Sequence, residues 1–324
     1  MWRQRLPENG IYQKNGATSP VSVFKFLERS FSMKWNTARF LIDLSRPQVM
    51  GIVNITPDSF SDGGQHASTA AALRHCETLL KEGADILDIG GESTRPGALS
   101  LPLDEELARV LPVVREAVRL GVPVSVDTYK PRVMQAVLDL GADIINDIWA
   151  LRWTEPCANP APAALNAMQV VAKHPSCGVC LMHMHREPLT MQMAPMEGDV
   201  VPQVLLFLEH LAQSLHGLGV EKNRIVIDPG IGFGKTVAQN FALLARQGEL
   251  LGAGYPLLVG WSRKSSLAAI TATPLAAAAT LDVHERLVPS VAAALLAVER
   301  GAAIVRVHDV RETVQALKVL GAIR

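Results

Sequence analysis

One short unit recurs along the chain and limits the folds that it can adopt. The unit is a helical stretch, then Gly with a small residue, then four to six aliphatic or β-branched residues that end in a polar one. The clearest copies are "EGADILDIGG", "LGVPVSVDT", "LGADIINDI" and "RGAAIVRVHD". Gly suits the left-handed position that ends a helix, and continuous apolar runs are typical of strands buried on both faces of a parallel sheet. The unit therefore predicts alternating helices and strands.

Eight copies or relatives of this unit predict eight strands, near residues 49–54, 85–90, 122–127, 143–147, 179–183, 224–228, 256–260 and 303–307. Eight β/α repeats in about 275 residues match the size of a (β/α)8 barrel. We therefore predict an α/β fold of the TIM-barrel type that forms a single domain. An open doubly wound sheet is the alternative, although no G-x-G-x-x-G sequence opens a helix after the first strand.

Residues 1–45 lack the repeated unit and are predicted to be an N-terminal extension, either disordered or a short hairpin, before a barrel of residues 46–324. The first apolar segment is interrupted by Lys25, Glu28 and Arg29, so it lacks the apolar core, about 7–15 residues long, of a secretory signal. The longest apolar runs, such as "SVAAALLAV", are far shorter than the roughly 20 residues that cross a bilayer. We therefore expect a cytoplasmic protein without a membrane span.

The charges of the chain balance, because Lys plus Arg and Asp plus Glu both number 31. No basic block with interleaved aromatic residues is present, so nucleic acid is not an expected partner. The segment "HPSCGVCLMHMH" spaces His174, Cys177, Cys180 and His183 like the ligands of a metal site. Successive side chains of a strand point to opposite faces, however. We therefore expect these cysteines to be packed thiols.

A barrel of this type carries its active site at the carboxyl ends of its strands. Those ends are polar almost throughout and give, in order, Asn54, Asp88, Asp127, Asn146, His183, Asp228, Ser262 to Lys264, Arg306 and His308. Any one of these residues is equally well explained as a helix cap or a loop hydrogen bond. So many polar ends on one rim indicate a functional site.

Two chemical groups can be separated on this rim. The acceptors suit a planar heterocycle whose edge presents several N–H donors, and they are Asp127, Asn146 and Asp228. The donors, together with a metal ion, suit a phosphate or pyrophosphate, and they are Arg95, Lys264, Arg306 and His308. The rim therefore predicts one pocket for a heterocycle and one for an anion.

Two loops at this rim stand out, "NITPDSFSDGGQH" and "GGESTRPGA". The first contains Phe60 with the acids Asp58 and Asp62, which suits a lid that closes over a substrate. A solvated turn explains the same composition equally well. The two interpretations stay open on composition alone.

Several blocks of the sequence occur together in one order and spacing: "MGIVNITPDSFSDGG", "DIGGESTRPGA", "VSVDTYKP", "IINDI", "LMHM", "IDPGIGFGK", "LLVGWSRKS" and "RVHDV". Over roughly residues 47–322 the chain thereby resembles the dihydropteroate synthase family. The resemblance implies a (β/α)8 barrel, commonly a homodimer, that acts in folate synthesis. Such enzymes join 6-hydroxymethyl-7,8-dihydropterin diphosphate to 4-aminobenzoate and release pyrophosphate with the help of Mg2+. It also implies inhibition by sulfonamides, which mimic 4-aminobenzoate.

The resemblance further implies roles for individual residues of this chain. It places a pterin pocket on Asp127, Asn146, Met182, Asp228, Lys264 and Arg306. It places the diphosphate on Asp62, Arg95, Arg306 and His308, and the metal ion on Asn54. It places 4-aminobenzoate on Phe60, Thr94, Pro96 and Ser265. The catalytic residues that it implies are Asp127, Lys264, Arg306 and His308, whereas Glu92 and Ser93 are expected only to hold their loop in place.

Two other functions remain open. A methyltransferase acting on methyltetrahydrofolate would have a related barrel and similar pterin-binding acids, but it would lack the "TPDSFSDGG" and "SRKS" blocks present here. A non-catalytic pterin-binding paralogue would be expected to have lost Lys264, Arg306 or the loop residues. The chain departs from the family at Pro289-Ser290, where Gly-Ser is usual. Because Pro is tolerated in the first turn of a helix, we expect little functional consequence.

Overall fold

The structure is a computed structural model that describes residues 33–55, 64–95, 97–154, 165–271 and 282–323. Ten strands occur in these ranges: β1 (Lys34–Asn36), β2 (Leu41–Asp43), β3 (Gln48–Asn54), β4 (Ile86–Gly90), β5 (Val124–Asp127), β6 (Ile144–Asp147), β7 (Gly178–Met182), β8 (Ile225–Asp228), β9 (Leu258–Val259) and β10 (Ile304–Val307). Strands β1 and β2 form an antiparallel hairpin, and β3 to β10 form an eight-stranded sheet.

Ten α-helices occur in the same ranges: α1 (Gly64–Glu82), α2 (Leu103–Ala117), α3 (Pro131–Asp139), α4 (Ala167–Lys173), α5 (Val200–Gly217), α6 (Val237–Ala245), α7 (Gln247–Leu250), α8 (Ser265–Thr271), α9 (Leu287–Glu299) and α10 (Val310–Gly321). Short 3-10 turns cover Val118–Leu120, Lys222–Arg224, Leu251–Ala253 and His284–Arg286. Within the described ranges, no helix has the length and apolar character needed to cross a membrane.

The eight strands of the large sheet are parallel and form a nearly closed barrel. Their order is β8-β7-β6-β5-β4-β3-β10-β9, and a parallel bridge between Ile227 and Leu257 joins the two ends. Each strand overlaps one that the sequence predicts, and helices connect them. The predicted (β/α)8 barrel is therefore confirmed, and the open doubly wound alternative is excluded by the closure between β8 and the segment before β9.

Glycines end several of the connecting helices, as the repeated unit predicts. Gly141, before β6, has a φ of 96°, and Gly301, before β10, has a φ of 93°. A side chain is strained in this left-handed region, whereas glycine is not. The chain can therefore turn from helix to strand within a few residues.

Alternate residues of the barrel strands face two different layers. One face, which includes Val49 and Leu87, packs against the surrounding helices in the large outer core. The other, which includes Met50 and Ile86, fills the barrel interior. Because of the period of two, Cys180 lies in the interior layer and Cys177 in the outer one. The two thiols therefore lie on opposite faces of the sheet.

The hairpin of β1 and β2 covers the amino ends of the barrel strands. Trp35 is fully buried in the interior layer, and its Nε1 donates to the carbonyl of Arg224 at 3.0 Å. Arg39 pairs with the buried carboxylate of Asp143, directly before β6, with Nη2 and Oδ2 2.5 Å apart. The hairpin thus supplies core side chains to the barrel, and it leaves the opposite, carboxyl-end rim open.

Candidate active site

The strand register brings the predicted acceptors together at one rim. Asp127, the last residue of β5, lies opposite Gly90 of β4 and Asn146 of β6. Met182, the last residue of β7, lies opposite Asp228 of β8. The side chains of Asn146, Met182 and Asp228 are largely buried. The rim therefore forms a polar floor above the apolar interior layer.

A partly buried arginine links two carboxylates on this floor. Arg306 Nε donates to Asp88 Oδ2 at 2.6 Å, and its Nη2 donates to Asp127 Oδ2 at 2.8 Å. Asp88 also accepts from Ser125 Oγ at 2.6 Å and from Asn146 Nδ2 at 3.2 Å. Asp88 thus orients Arg306 and Asn146 and is fully buried itself.

Asp228 and Lys264 form a second part of the floor. Asp228 Oδ1 accepts from the backbone N–H of Gly230 at 2.7 Å. The ammonium of Lys264 lies 4.3 Å from the ring centroid of Phe233, an arrangement that favours a cation over the ring face. Gly232 leaves room for this lysine, because a Cβ there would lie 3.3 Å from Lys264 Cδ.

Burial shifts the protonation equilibria of these groups. It raises the pKa of Asp228 to about 6, although the Gly230 N–H and Lys264 act in the opposite direction. It also raises the pKa of Asp127, against the lowering effect of Arg306. Burial lowers the pKa of Lys264 to about 8, against the effect of Asp228. A ligand that donates hydrogen bonds to the carboxylates would stabilise their ionised forms.

His308 lies beside a group of arginines and is neutral near pH 7. Burial, with Arg263, Arg306 and Arg95 as the next causes, lowers the pKa of His308 to about 3. Ser262 Oγ accepts from the backbone N–H of His308 at 3.1 Å and lies 3.0 Å from its Nδ1. When Ser262 donates its proton to Nδ1, the imidazole proton resides on Nε2. His308 can then offer one N–H to an anion.

The other predicted site residues that the structure describes lie at a strand end, in a loop or at the start of a helix. Asn54 ends β3 and is partly exposed, Ser265 begins α8 and is exposed, and Thr94 and Arg95 follow β4. Arg95 is close enough to His308 for its charge to lower the pKa of that imidazole. The predictions for Phe60, Asp62 and Pro96 concern residues outside the described ranges.

Lys235 is a buried residue that holds the loop after β8, and the sequence does not predict this role. Its Nζ lies 2.9 Å from His183 Nδ1 and donates to the carbonyls of Gly230 at 2.9 Å and Phe233 at 3.1 Å. The lysine in "DPGIGFGK" thus points inward and holds its own loop. His183, a polar residue at the end of β7, is engaged in the same support.

Arg263, in the "SRKS" block, has a positive φ of 59° and is held by two elements. Its guanidinium pairs with Asp309 at 2.5 Å, and its backbone N–H donates to Ser290 Oγ at 2.8 Å. Ser290 belongs to the Pro289-Ser290 pair that departs from the family pattern. The serine of that pair therefore orients the segment directly before Lys264, and Pro289 lies within the first turn of α9.

The oxygen ligands at the rim suit a magnesium ion that binds together with a diphosphate. Across the described ranges, no group of three or more His, Cys, Asp or Glu is arranged to hold a metal ion. Magnesium, however, often keeps several waters and takes one or two protein oxygens plus substrate phosphates. The amide oxygen of Asn54 at the rim is an oxygen ligand of that kind. Arg306 lies on the neighbouring strand β10, and His308 directly follows that strand.

Comparison with known proteins agrees with this geometry. A family model described as "Pterin binding enzyme" matches residues 50–308. Dihydropteroate synthase of Neisseria meningitidis serogroup B is 48% identical over an alignment of 297 residues, and the match covers 89% of this chain and 97% of that protein.

Two solved structures extend the similarity. Burkholderia cenocepacia dihydropteroate synthase, complexed with 7,8-dihydropteroate, has a TM-score of 0.77 at 49% identity, and the match covers 90% of this chain and 96% of that one. The Xanthomonas albilineans enzyme with 4-aminobenzoic acid has a TM-score of 0.79 at 46% identity, covering 90% and 98%.

The chain is a (β/α)8 barrel with acceptors and adjacent cations on its carboxyl-end rim. The family model matches most of the length of the chain, so the fold and the site define a pterin-binding enzyme. The similarity to curated proteins and solved structures narrows the class. The chain belongs to the dihydropteroate synthase family and is an enzyme of folate synthesis.

Proposed function

We propose that this chain condenses 6-hydroxymethyl-7,8-dihydropterin diphosphate with 4-aminobenzoate to give 7,8-dihydropteroate and pyrophosphate. The observation that carries the proposal is the joint presence of carboxylate acceptors and partly buried cations on one rim. Asp127 and Asp228 are the acceptors, and Arg306 and Lys264 are the cations. A pterin edge would offer further N–H donors to these carboxylates, and a diphosphate would place its negative charge beside the cations.

The acceptors would bind the pterin through its N–H edge. Asp127, Asn146 and Asp228 would accept hydrogen bonds from that edge, and Met182 would line the wall. Ligand donors would replace solvent around the buried carboxylates and keep them ionised. Asp88 would act indirectly, because it holds both Arg306 and Asn146 in place.

The cations would stabilise the leaving diphosphate. In the reaction, the bond between the pterin methylene carbon and the diphosphate oxygen breaks, and a bond from that carbon to the amine nitrogen forms. The amine then loses a proton. Arg306, Lys264 and the N–H of His308 would stabilise the charge that develops on the departing oxygens. Asn54 would hold Mg2+, which when bound neutralises part of the diphosphate charge.

The second substrate would meet the rim at its loops. We place 4-aminobenzoate against Thr94 and Ser265, together with Phe60 and Pro96, and the diphosphate additionally against Arg95 and Asp62. The amine attacks through its own lone pair, so no protein nucleophile is required. A sulfonamide, which resembles 4-aminobenzoate, would occupy the same place and inhibit.

An assay of pyrophosphate release tests the proposal directly. The purified protein is mixed with the pterin diphosphate, and 4-aminobenzoate and Mg2+ are each added or left out. We expect stoichiometric pyrophosphate and dihydropteroate only when all three are present, and inhibition by a sulfonamide that competes with 4-aminobenzoate. Pterin binding without turnover would instead identify a non-catalytic paralogue, and methyl transfer from methyltetrahydrofolate would identify a methyltransferase.

We further propose that the protein is a cytoplasmic homodimer. Helix α9 presents an apolar stripe to solvent, with Val288 75% and Leu296 40% exposed. Apolar residues at this spacing on an exposed helix suit an interface between subunits. The exposed Ala292 lies between them on the same face.

Substitution on this stripe is expected to separate the subunits. Leu296→Glu would bury a charge in the interface and shift the molar mass measured by light scattering towards that of the monomer. Leu206→Glu is the matched control, because Leu206 is 69% exposed on α5. Equal masses for the two variants would contradict the assignment of the interface to α9.

A further inference from the structure

The loop that follows β4 is anchored by a buried ion-pair cluster that contains Glu92, a residue expected from the sequence only to hold this loop in place. Lys130 Nζ donates to Glu92 Oε2 and, at 2.5 Å, to Glu106 Oε2. The side chains of Lys130, Glu92 and Glu106 are 5%, 9% and 1% exposed. These three residues, which we call the Lys130 cluster, join the loop (residues 91–95 and 97–102) to α2 and to the segment after β5.

The remaining oxygens of the cluster are also satisfied. Tyr129 donates its hydroxyl proton to Glu92 Oε1 at 2.9 Å, and Thr128 Oγ1 donates to Glu106 Oε1 at 2.6 Å. The ammonium of Lys130 lies 4.7 Å from the ring centroid of Tyr129. A buried network in which every group has a partner has essentially one arrangement.

The backbone before Glu92 is fixed as well. Arg109 of α2 donates to the carbonyl of Gly91 at 3.1 Å. A Cβ at Gly91 would lie 2.6 Å from Val110 Cγ2, so this position packs directly on the helix. The loop therefore leaves β4 along α2 and is held at Gly91 and Glu92. Further along, the N–H of Gly97 donates to the carbonyl of Pro188 at 3.1 Å, and Ser100 Oγ lies 2.8 Å from the Tyr129 hydroxyl.

Among the residues directly after Glu92, Arg95 is close enough to the rim for its charge to act on His308. Ser93 and Arg95 are exposed, and Thr94 is partly buried. The charge of Arg95 nevertheless lowers the pKa of His308, on the far side of β3. Glu92 thus anchors the loop shortly before Thr94 and Arg95. We place Thr94 against the second substrate and Arg95 against the diphosphate.

The composition of the cluster suits positioning better than stability. Burial raises the pKa of Glu106, although Lys130 acts to lower it. Two carboxylates share one ammonium here, and buried ion pairs are weak sources of stability because desolvation offsets their attraction. Replacing a buried ion pair by apolar residues of similar volume is often neutral for stability, but apolar residues would supply no directional contacts to the loop.

We propose that Lys130 and Glu92 are positioning residues, which hold the start of the loop so that Thr94 and Arg95 reach the rim in the productive orientation. The inference rests on the proposed function, since it concerns binding of 4-aminobenzoate and the diphosphate. Lys130 lies three residues after Asp127, so the same cluster fixes the loop relative to the pterin floor.

Glu92→Gln is the decisive variant, because it keeps the volume of the side chain and removes its charge. We expect kcat/KM for 4-aminobenzoate to fall by about 10- to 100-fold, mainly through KM, since small misplacements of a positioned group have effects of this size. Binding of 6-hydroxymethylpterin, measured by calorimetry, should be unchanged, because its acceptors lie on strand ends. Hydrogen exchange in residues 91–102 should accelerate.

Two controls separate positioning from a general loss of stability. Asp143→Asn removes the charge of a fully buried carboxylate at the opposite end of the barrel, and we expect it to change neither the KM for 4-aminobenzoate nor exchange in the loop. Lys130→Met should reproduce the effects of Glu92→Gln. If Lys130→Met fails to fold, Glu92→Gln alone decides the question.

Three outcomes would be informative. An active protein in which Glu92→Gln has a normal KM and normal loop exchange would overturn the inference. Equal KM effects in Glu92→Gln and Asp143→Asn would also overturn it, because they would show a purely structural role. Absence of pyrophosphate release from the unsubstituted protein would refute the proposed function instead, and loop exchange would still report whether the cluster anchors the loop.

Discussion

Asp228→Asn should lower kcat/KM by about 100- to 1000-fold, which is the scale of losing one preorganised electrostatic contact. Asn keeps the shape of the side chain and still accepts from the Gly230 N–H, which now bonds Asp228 Oδ1 at 2.7 Å. The variant therefore loses the negative charge and little else. Steady-state kinetics with both substrates would measure the effect.

The same variant should change the pH profile. Burial raises the pKa of Asp228 to about 6 and also raises the pKa of Asp127. If both must be ionised to bind the pterin, log kcat/KM rises with pH with a slope of about two on the acid side, and of about one in the variant, because the profile reports groups of the free enzyme. An unchanged slope would contradict the role of Asp228.

Asp228→Asn should not lower the free energy of unfolding at alkaline pH, although it lowers activity. A carboxyl whose folded-state pKa is raised contributes stability below its unfolded pKa and loses that contribution as pH rises through the folded value, about 6 for Asp228. At pH 8 the ionised Asp228 side chain therefore lowers the free energy of unfolding of the ligand-free protein. We expect Asp228→Asn to be at least as stable as the unsubstituted protein there, whereas Asp143→Asn, which breaks an ion pair, should be less stable and remain active.

The fold was predictable because the same local sequence pattern recurs at each helix–strand repeat of the barrel. The barrel strands are buried aliphatic runs, and several of them follow a helix-ending glycine, as at Gly141 before β6 and Gly301 before β10. The rim was predictable for the same reason, since a polar residue at the end of a buried run, such as Asp127 or Asp228, falls on one edge of the sheet whatever its distant neighbours are.

The pairing on that rim was not predictable from local pattern. Asp88 is visible as a polar residue in β4, but its partner Arg306 lies 218 residues away. The inward direction of Lys235 is equally hidden, because a lysine after "GIGFG" is as compatible with an exposed phosphate contact as with the carbonyls that it meets. Such contacts depend on which residues the closed barrel brings face to face.

The hairpin shows the same limit at the other end of the barrel. Residues 34–43 lack the repeated unit, and nothing in "KWNTARFLID" indicates which of its apolar residues is buried. The structure buries Trp35 completely and leaves Leu41 56% exposed. The difference arises because Trp35, unlike Leu41, faces the interior layer formed by residues such as Met50 and Ile86.

Trp35→Ala should lower the free energy of unfolding by about 3–5 kcal/mol, the usual cost of removing a large buried aromatic side chain. The indole closes the amino end of the barrel interior so tightly that a Cβ at Gly178 would lie 3.0 Å from its Nε1. The substitution would leave a cavity there and deprive the buried carbonyl of Arg224 of its donor. Urea denaturation followed by circular dichroism would measure the loss.

Leu41→Ala, in the same hairpin, is the matched control and should change the free energy of unfolding by less than about 0.5 kcal/mol, as is usual at exposed positions. Similar small losses for the two variants would show that the hairpin is dispensable to the core. Because the hairpin lies at the end of the barrel opposite the rim, folded Trp35→Ala protein should keep its KM for both substrates. A loss of stability with unchanged KM would therefore assign the two ends of the barrel to different tasks, with core packing at the hairpin and chemistry at the rim.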